Sequence, residues 1–139
     1  MEITLTAQIG GSDAGSKFRK PIVKLRKSLK LLDEKIYSES IEKIKVFLRI
    51  SGEIESYEES TGVYNYRLDK KNKTASAEII ISNESWKQST DIGLLLSDLT
   101  KVFFNSLLEY LTQKSTEIDK KSLLEDIENV VLTNNNSLD

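Results

Sequence analysis

Apolar and polar side chains alternate from Lys43 to Ser82. Ile44, Val46, Leu48 and Ile50 alternate with Lys43, Lys45, Phe47, Arg49 and Ser51. Gly52 interrupts, and Glu53 to Tyr57 continues the extended pattern. After the polar break Glu58-Glu59-Ser60-Thr61-Gly62, Tyr64, Tyr66 and Leu68 alternate again. Lys70 to Lys73 make a turn, and Ala75, Ala77, Ile79 and Ile81 resume the pattern. A period of two over this length predicts three antiparallel strands with one face packed and one face wet. Glu2 to Ile9 adds a further strand, with Ile3, Leu5, Ala7 and Ile9 inward and Thr4, Thr6 and Gln8 outward.

The helices follow a different period. Gly10-Gly11-Ser12-Asp13-Ala14-Gly15-Ser16 is rich in residues that tolerate turns and is expected to be a loop. Pro21 then suits a first helical position, where no N–H is needed. Ile22, Leu25, Leu29, Leu32 and Ile36 form one apolar stripe, with Lys24, Arg26, Lys27 and Lys30 off it. Pro21 to Leu31 also alternates in part, but the stripe favours a helix. Thr90 and Asp91 are suited to cap a long helix carrying Ile92, Leu95, Leu96, Leu99, Val102, Phe103, Leu107, Tyr110 and Leu111. Ser122 with Glu125 three residues on is a capping-box pattern for a last helix with Leu123, Leu124, Ile127, Val130 and Val131 on its apolar face. Trp86 is expected to pack over the sheet end with its N–H paired. The order is β-α-β-β-β-α-α. The economical fold is a single α+β domain over residues 1–139: an antiparallel sheet of about four strands packed on one face by helices, with a tail fraying from about 134 to 139.

Composition narrows the function classes. The chain has no histidine, which removes the commonest general base and zinc ligand together with the Ser-His-Asp constellation. It has no cysteine, so disulfides and thiolate chemistry are excluded. No enzyme, cofactor or metal centre is expected. No apolar run approaches the roughly 18–20 residues that cross a bilayer. Met1-Glu2-Ile3-Thr4 lacks the basic and apolar regions of a signal peptide, so a cytoplasmic protein is expected. The net charge of −2 is unevenly spread: Lys17 to Lys30 holds seven basic residues and no acidic one, leaving −9 on the remainder.

Three stretches invite a functional reading. Gly10 to Gly15 leads from a strand towards a helix, but Lys17 and Phe18 follow Gly15 and Ser16, which is not the Gly-Lys-Ser/Thr spacing of a phosphate loop. The basic run 17–30 suits nucleic acid by counterion release, although only Phe18 is available for stacking. A solvated helix face is the plainer reading. Glu53, Glu55, Glu58 and Glu59 form an acidic cluster, with Tyr57, Tyr64 and Tyr66 expected nearby in the same hairpin. Acids supply complementarity and association rate, and tyrosines supply anchoring area. These seven residues are therefore candidates for contact with a basic protein partner. A charged edge strand that blocks aggregation fits the same residues. The carboxylates lack the spacing of a calcium loop, and nothing forms a sugar cleft.

The segment Phe47-Leu48-Arg49-Ile50-Ser51-Gly52-Glu53-Ile54, the Gly62 break, and Ser76-Ala77-Glu78-Ile79-Ile80-Ile81-Ser82-Asn83-Glu84-Ser85-Trp86-Lys87 carry a resemblance. Together they are similar to the immunity proteins of bacterial polymorphic toxins, especially the immunity-twelve family. That family shows a strand ending in Ser-Gly-Glu, a variable hairpin, a β-rich run ending in Glu-x-x-Trp, and a long helix. The resemblance covers roughly Lys43 to Lys114. It implies a cytoplasmic bacterial protein that binds and neutralises one cognate toxin C-terminal domain, such as a nuclease delivered by contact-dependent growth inhibition. A nuclease is basic, so the acidic cluster has the complementary sign. Toxin contacts are not shared position by position in such families, so the resemblance transfers no binding residue. The alternative is a nucleic-acid-binding module using residues 17–30.

Overall fold

The structure is a computed structural model that describes residues 1–34, 36, 38–52 and 60–114. Its elements are β1 (Glu2–Ile9), α1 (Ser12–Leu32), β2 (Lys43–Ile50), β3 (Gly62–Asp69), β4 (Thr74–Ile81), α2 (Asn83–Gln88) and α3 (Ile92–Lys114). The class is α+β, and the order β-α-β-β-β-α-α is the expected one. The last two helices among the described residues are α2, a short element that periodicity alone does not show, and the long α3. The helix expected from Ser122 lies outside the described residues.

The four strands form one sheet in the order β1-β2-β4-β3. The sheet is mixed, which corrects the antiparallel expectation. β1 with β2, and β2 with β4, run parallel, and only β3 with β4 is antiparallel. The physical reason is connectivity. β1 and β2 are joined by α1, a crossover long enough to return the chain to the same end of the sheet. β3 then runs at the far edge, and the Lys70–Lys73 turn brings β4 back between β3 and β2.

Parallel register puts facing residues on one side of the sheet. Ile3, Ile44 and Ala75 lie in one row; Leu5, Val46 and Ala77 in the next; then Ala7, Leu48 and Ile79; then Ile9, Ile50 and Ile81. All members of the β2 and β4 columns are buried, so the inward alternation is as the sequence indicates. Each fully buried valine, leucine or isoleucine contributes about 1.5–3 kcal/mol of hydrophobic stabilisation.

Both long helices cover this face. α1 packs over β1 and against α3, and α3 covers β3 and β4. α1 begins at Ser12, nine residues before Pro21, so the Gly10–Ser16 loop shortens to Gly10 and Gly11. Ala14 and Phe18 explain the extension: they continue the Ile22–Leu25 stripe back by four and eight residues, and both are buried. Burial of that stripe offsets Pro21 in the helix interior, where the missing N–H leaves the Lys17 carbonyl without its helical donor. On α3 the buried face is Leu96, Leu99, Phe103, Phe104, Leu107, Leu108 and Leu111, and Asp91 caps its start by accepting from the Leu94 N–H at 3.0 Å. Val102, expected inward, is exposed.

Candidate functional site

The side of the sheet away from the helices carries no helix among the described residues, and its side chains define the candidate surface. Four rows cross it from β1 to β3. They are Glu2, Lys43, Thr74 and Asp69; Thr4, Lys45, Ser76 and Arg67; Thr6, Phe47, Glu78 and Tyr64; and Gln8, Arg49, Ile80 and Gly62. Ile80 is buried, whereas Phe47 is 39% exposed at the centre of the polar field. A broad open depression of about 1550 Å³ runs over this face and around the β3 edge to Tyr110 and Lys114. Among the described residues, seven basic and three acidic side chains line it.

The acids of this face are engaged locally. Glu78 accepts from Arg49 at 2.9 Å through one oxygen and from the Asn65 amide at 2.9 Å through the other. Glu42 pairs with Lys73 at 3.8 Å, and Glu2 with Lys43 at 3.9 Å. Asp69 accepts from the side chain and the backbone N–H of Asn72, and these two bonds hold its carboxyl below the usual aspartate range. Lys45, Arg67, Lys70 and Lys71 are exposed and take part in no ion pair among the described residues. The described part of the open face is therefore cationic, opposite in sign to the cluster singled out in the sequence.

Of the seven candidate contact residues, Glu53, Glu55, Tyr57, Glu58 and Glu59 lie outside the described residues. The positions flanking them are tightly held. Ser51 donates its N–H to the Ile81 carbonyl at 3.0 Å, and its own carbonyl accepts the Trp86 indole N–H at 2.6 Å. Gly52 sits so close to Gly10 that an added Cβ would lie 1.4 Å from the Gly10 carbonyl oxygen. On the other flank, the Thr61 hydroxyl bonds Ser85 and also accepts the Ser82 N–H at 2.9 Å. Ser82 in turn caps α2 by accepting the Ser85 N–H at 3.3 Å. Trp86 is buried with its N–H paired, as expected, and meets Phe18 edge to face at 6.3 Å.

Tyr64 and Tyr66 are not brought together. The register shifts between Tyr64 opposite Glu78 and Arg67 opposite Ser76, so β3 has one residue more than β4 there. Asn65 takes a left-handed conformation, with φ at 58°, and forms the bulge. The extra residue reverses the alternation. Tyr64 lies on the open face and donates to the Ser60 carbonyl at 2.9 Å, while Tyr66 turns to the helix side and stacks on Tyr110 at 5.5 Å.

The cations of run 17–30 lie along α1, with Lys24 half-buried and the others exposed. Phe18, the one aromatic in the run, is fully buried and unavailable for base stacking. Sequence reasoning missed the cationic sheet face. Lys43 and Lys45 are visible as the outward phase of β2, but their juxtaposition with Arg67 depends on β4 lying between β2 and β3. Among the described residues no three acidic side chains group to hold a metal ion, and no helix is long and apolar enough to cross a membrane.

No curated protein and no solved structure matches this chain. A family does. Its match takes in β1 and α1 as well as the Lys43–Lys114 region that carries the resemblance. The model of immunity protein 12 (Imm12) matches residues 1–128, nearly the full length, and the chain belongs to that family.

Proposed function

We propose that this protein binds the toxin domain of its own polymorphic toxin system and neutralises it by forming a complex, without chemistry of its own. The observation that carries this is the family match over residues 1–128. A sheet with one face free of helices among the described residues, and a chain without histidine or cysteine, suit a binding role. The partner is read as a nuclease, and the support is the acidic run. A nuclease must hold phosphate and so presents a basic groove, which Glu53, Glu55, Glu58 and Glu59 would complement, with Tyr57 and Tyr64 as the accompanying aromatics and Tyr66 held to the helix side by Tyr110. Action in the cytoplasm, where a delivered nuclease finds its substrate, goes with the same reading.

The test is calorimetry of the full chain against the toxin domain encoded by the neighbouring reading frame, with that domain's nuclease activity assayed in parallel. Tight one-to-one binding and loss of activity are expected. Reversal of Glu55 and Glu58 together should slow association, with an effect that shrinks as salt rises, because screening at 0.15 M acts over about 8 Å. Unchanged affinity in that variant would remove the acidic run from the interface and direct attention to Glu125, Asp126 and Glu128. A wild-type chain that does not bind the domain would refute the immunity reading.

A further inference from the structure

The strongest unassigned feature is the cationic half of the open sheet face. Lys45 and Arg67 flank Ser76 from the two neighbouring strands, and Phe47 and Tyr64 flank Glu78 in the next row. Strand spacing of about 4.8 Å puts the members of each flanking pair roughly 10 Å apart on one surface. Lys70 and Lys71 extend the field beyond the sheet at the β3–β4 turn. The acids within it are occupied: Glu78 by Arg49 and Asn65, Glu42 by Lys73, and Asp69 by Asn72. The four cations Lys45, Arg67, Lys70 and Lys71 have no such partner among the described residues, and Phe47 stands exposed between them and the Gly62 end of the sheet.

We propose that this surface docks a carboxylate-rich patch of the cognate toxin domain, with Phe47 as the apolar anchor and Lys45, Arg67, Lys70 and Lys71 as the charge-complementary patch beside it. The proposal rests on the immunity reading and adds a contact that the acidic run does not supply. The cationic patch centres towards the Glu2–Asp69 end of the sheet. Electrostatic complementarity of this kind fixes register and suppresses wrong partners. α1 carries more cations but is the weaker docking face, because the aromatic of its basic run is buried. Single-stranded nucleic acid is the competing occupant, since a base stacks on an exposed aromatic beside cations.

The test compares four variants of the full chain with wild type by calorimetry and stopped-flow association against the neighbouring frame's toxin domain. Lys45→Glu with Arg67→Glu should weaken binding by about 30-fold or more, mostly through association rate. Lys70→Glu with Lys71→Glu, in a turn that buries neither side chain, should act in the same direction and keeps the test valid if the first pair fails to fold. Phe47→Ala should speed dissociation by about tenfold or more. Lys20→Glu with Lys27→Glu on α1 should bind as wild type. Sheet-face variants that melt like wild type and bind like wild type would overturn the docking surface while leaving the immunity reading intact. A wild-type chain that does not bind the domain would refute that reading, and the docking surface with it. Tight binding of an unstructured oligouridine that the toxin domain does not displace would assign the face to nucleic acid instead.

Discussion

Asn65 shows how one residue decides which side chains can meet a partner. The β3 sequence alternates without a break, and read as a simple strand it puts Tyr64, Tyr66 and Leu68 together. The left-handed turn of the backbone at Asn65 inserts one residue and sends Tyr64 and Tyr66 to opposite faces. Asparagine tolerates that conformation, but no glycine stands beside it to advertise the turn. The turn that follows is more readable, because Asp69 and Asn72 are ordinary turn formers. Their pairing has a measurable consequence. The Asn72 amide and N–H stabilise the charged form of Asp69, so its folded-state pKa lies below the unfolded value near 3.9. A depressed carboxylate contributes stability that is present above the unfolded value and is lost as pH falls through the folded one. An NMR titration should therefore show Asp69 titrating below the ordinary aspartate range, and Asn72→Ala should return it upward. A wild-type midpoint at or above about 4 would mean that the pair does not form in solution.

At the scale of elements, burial made most of the structure legible. The inward phases of β1, β2 and β4 and the long stripe of α3 follow from periods of two and 3.6, because side-chain burial imposes those periods directly. Strand order and direction did not follow, since they depend on where each connection crosses the sheet. β3 follows β2 in sequence but lies beyond β4 in space. The start of α1 was obscured by local composition: Gly10 to Ser16 and Pro21 are turn and start signals, and burial of Ala14 and Phe18 overrides them. Pro21 then stands ten residues into the helix and should be a weak point. Pro21→Ala restores an N–H for the Lys17 carbonyl and should raise stability by about 1–3 kcal/mol, part of the interior proline penalty being offset by greater freedom of the unfolded chain. Urea denaturation checks this. A loss of stability would place the helix start at Pro21. Phe103→Ala removes a ring with no solvent exposure that packs edge to face on Phe104 at 5.1 Å, and should cost about 3–5 kcal/mol. An unchanged denaturation midpoint would remove α3 from the core.

At the scale of the whole molecule, the described helices occupy one side of the sheet, and the described residues of the other side carry a cationic field beside Phe47. The candidate site was only half legible for that reason. A cluster contiguous in sequence, such as Glu53 to Glu59, stands out on reading, whereas Lys45, Arg67 and Phe47 become one surface only when β4 is inserted between β2 and β3. The net charge of −2 conceals both signs. Neutralisation of a toxin through this layout is the central claim, and survival measures it most directly. Cells producing the neighbouring frame's toxin domain should regain full growth when they also produce the wild-type chain. Growth should fail with the Lys45→Glu, Arg67→Glu chain at equal abundance and return with the Lys20→Glu, Lys27→Glu chain. Cells that die of the toxin despite abundant, folded wild-type protein would contradict the account.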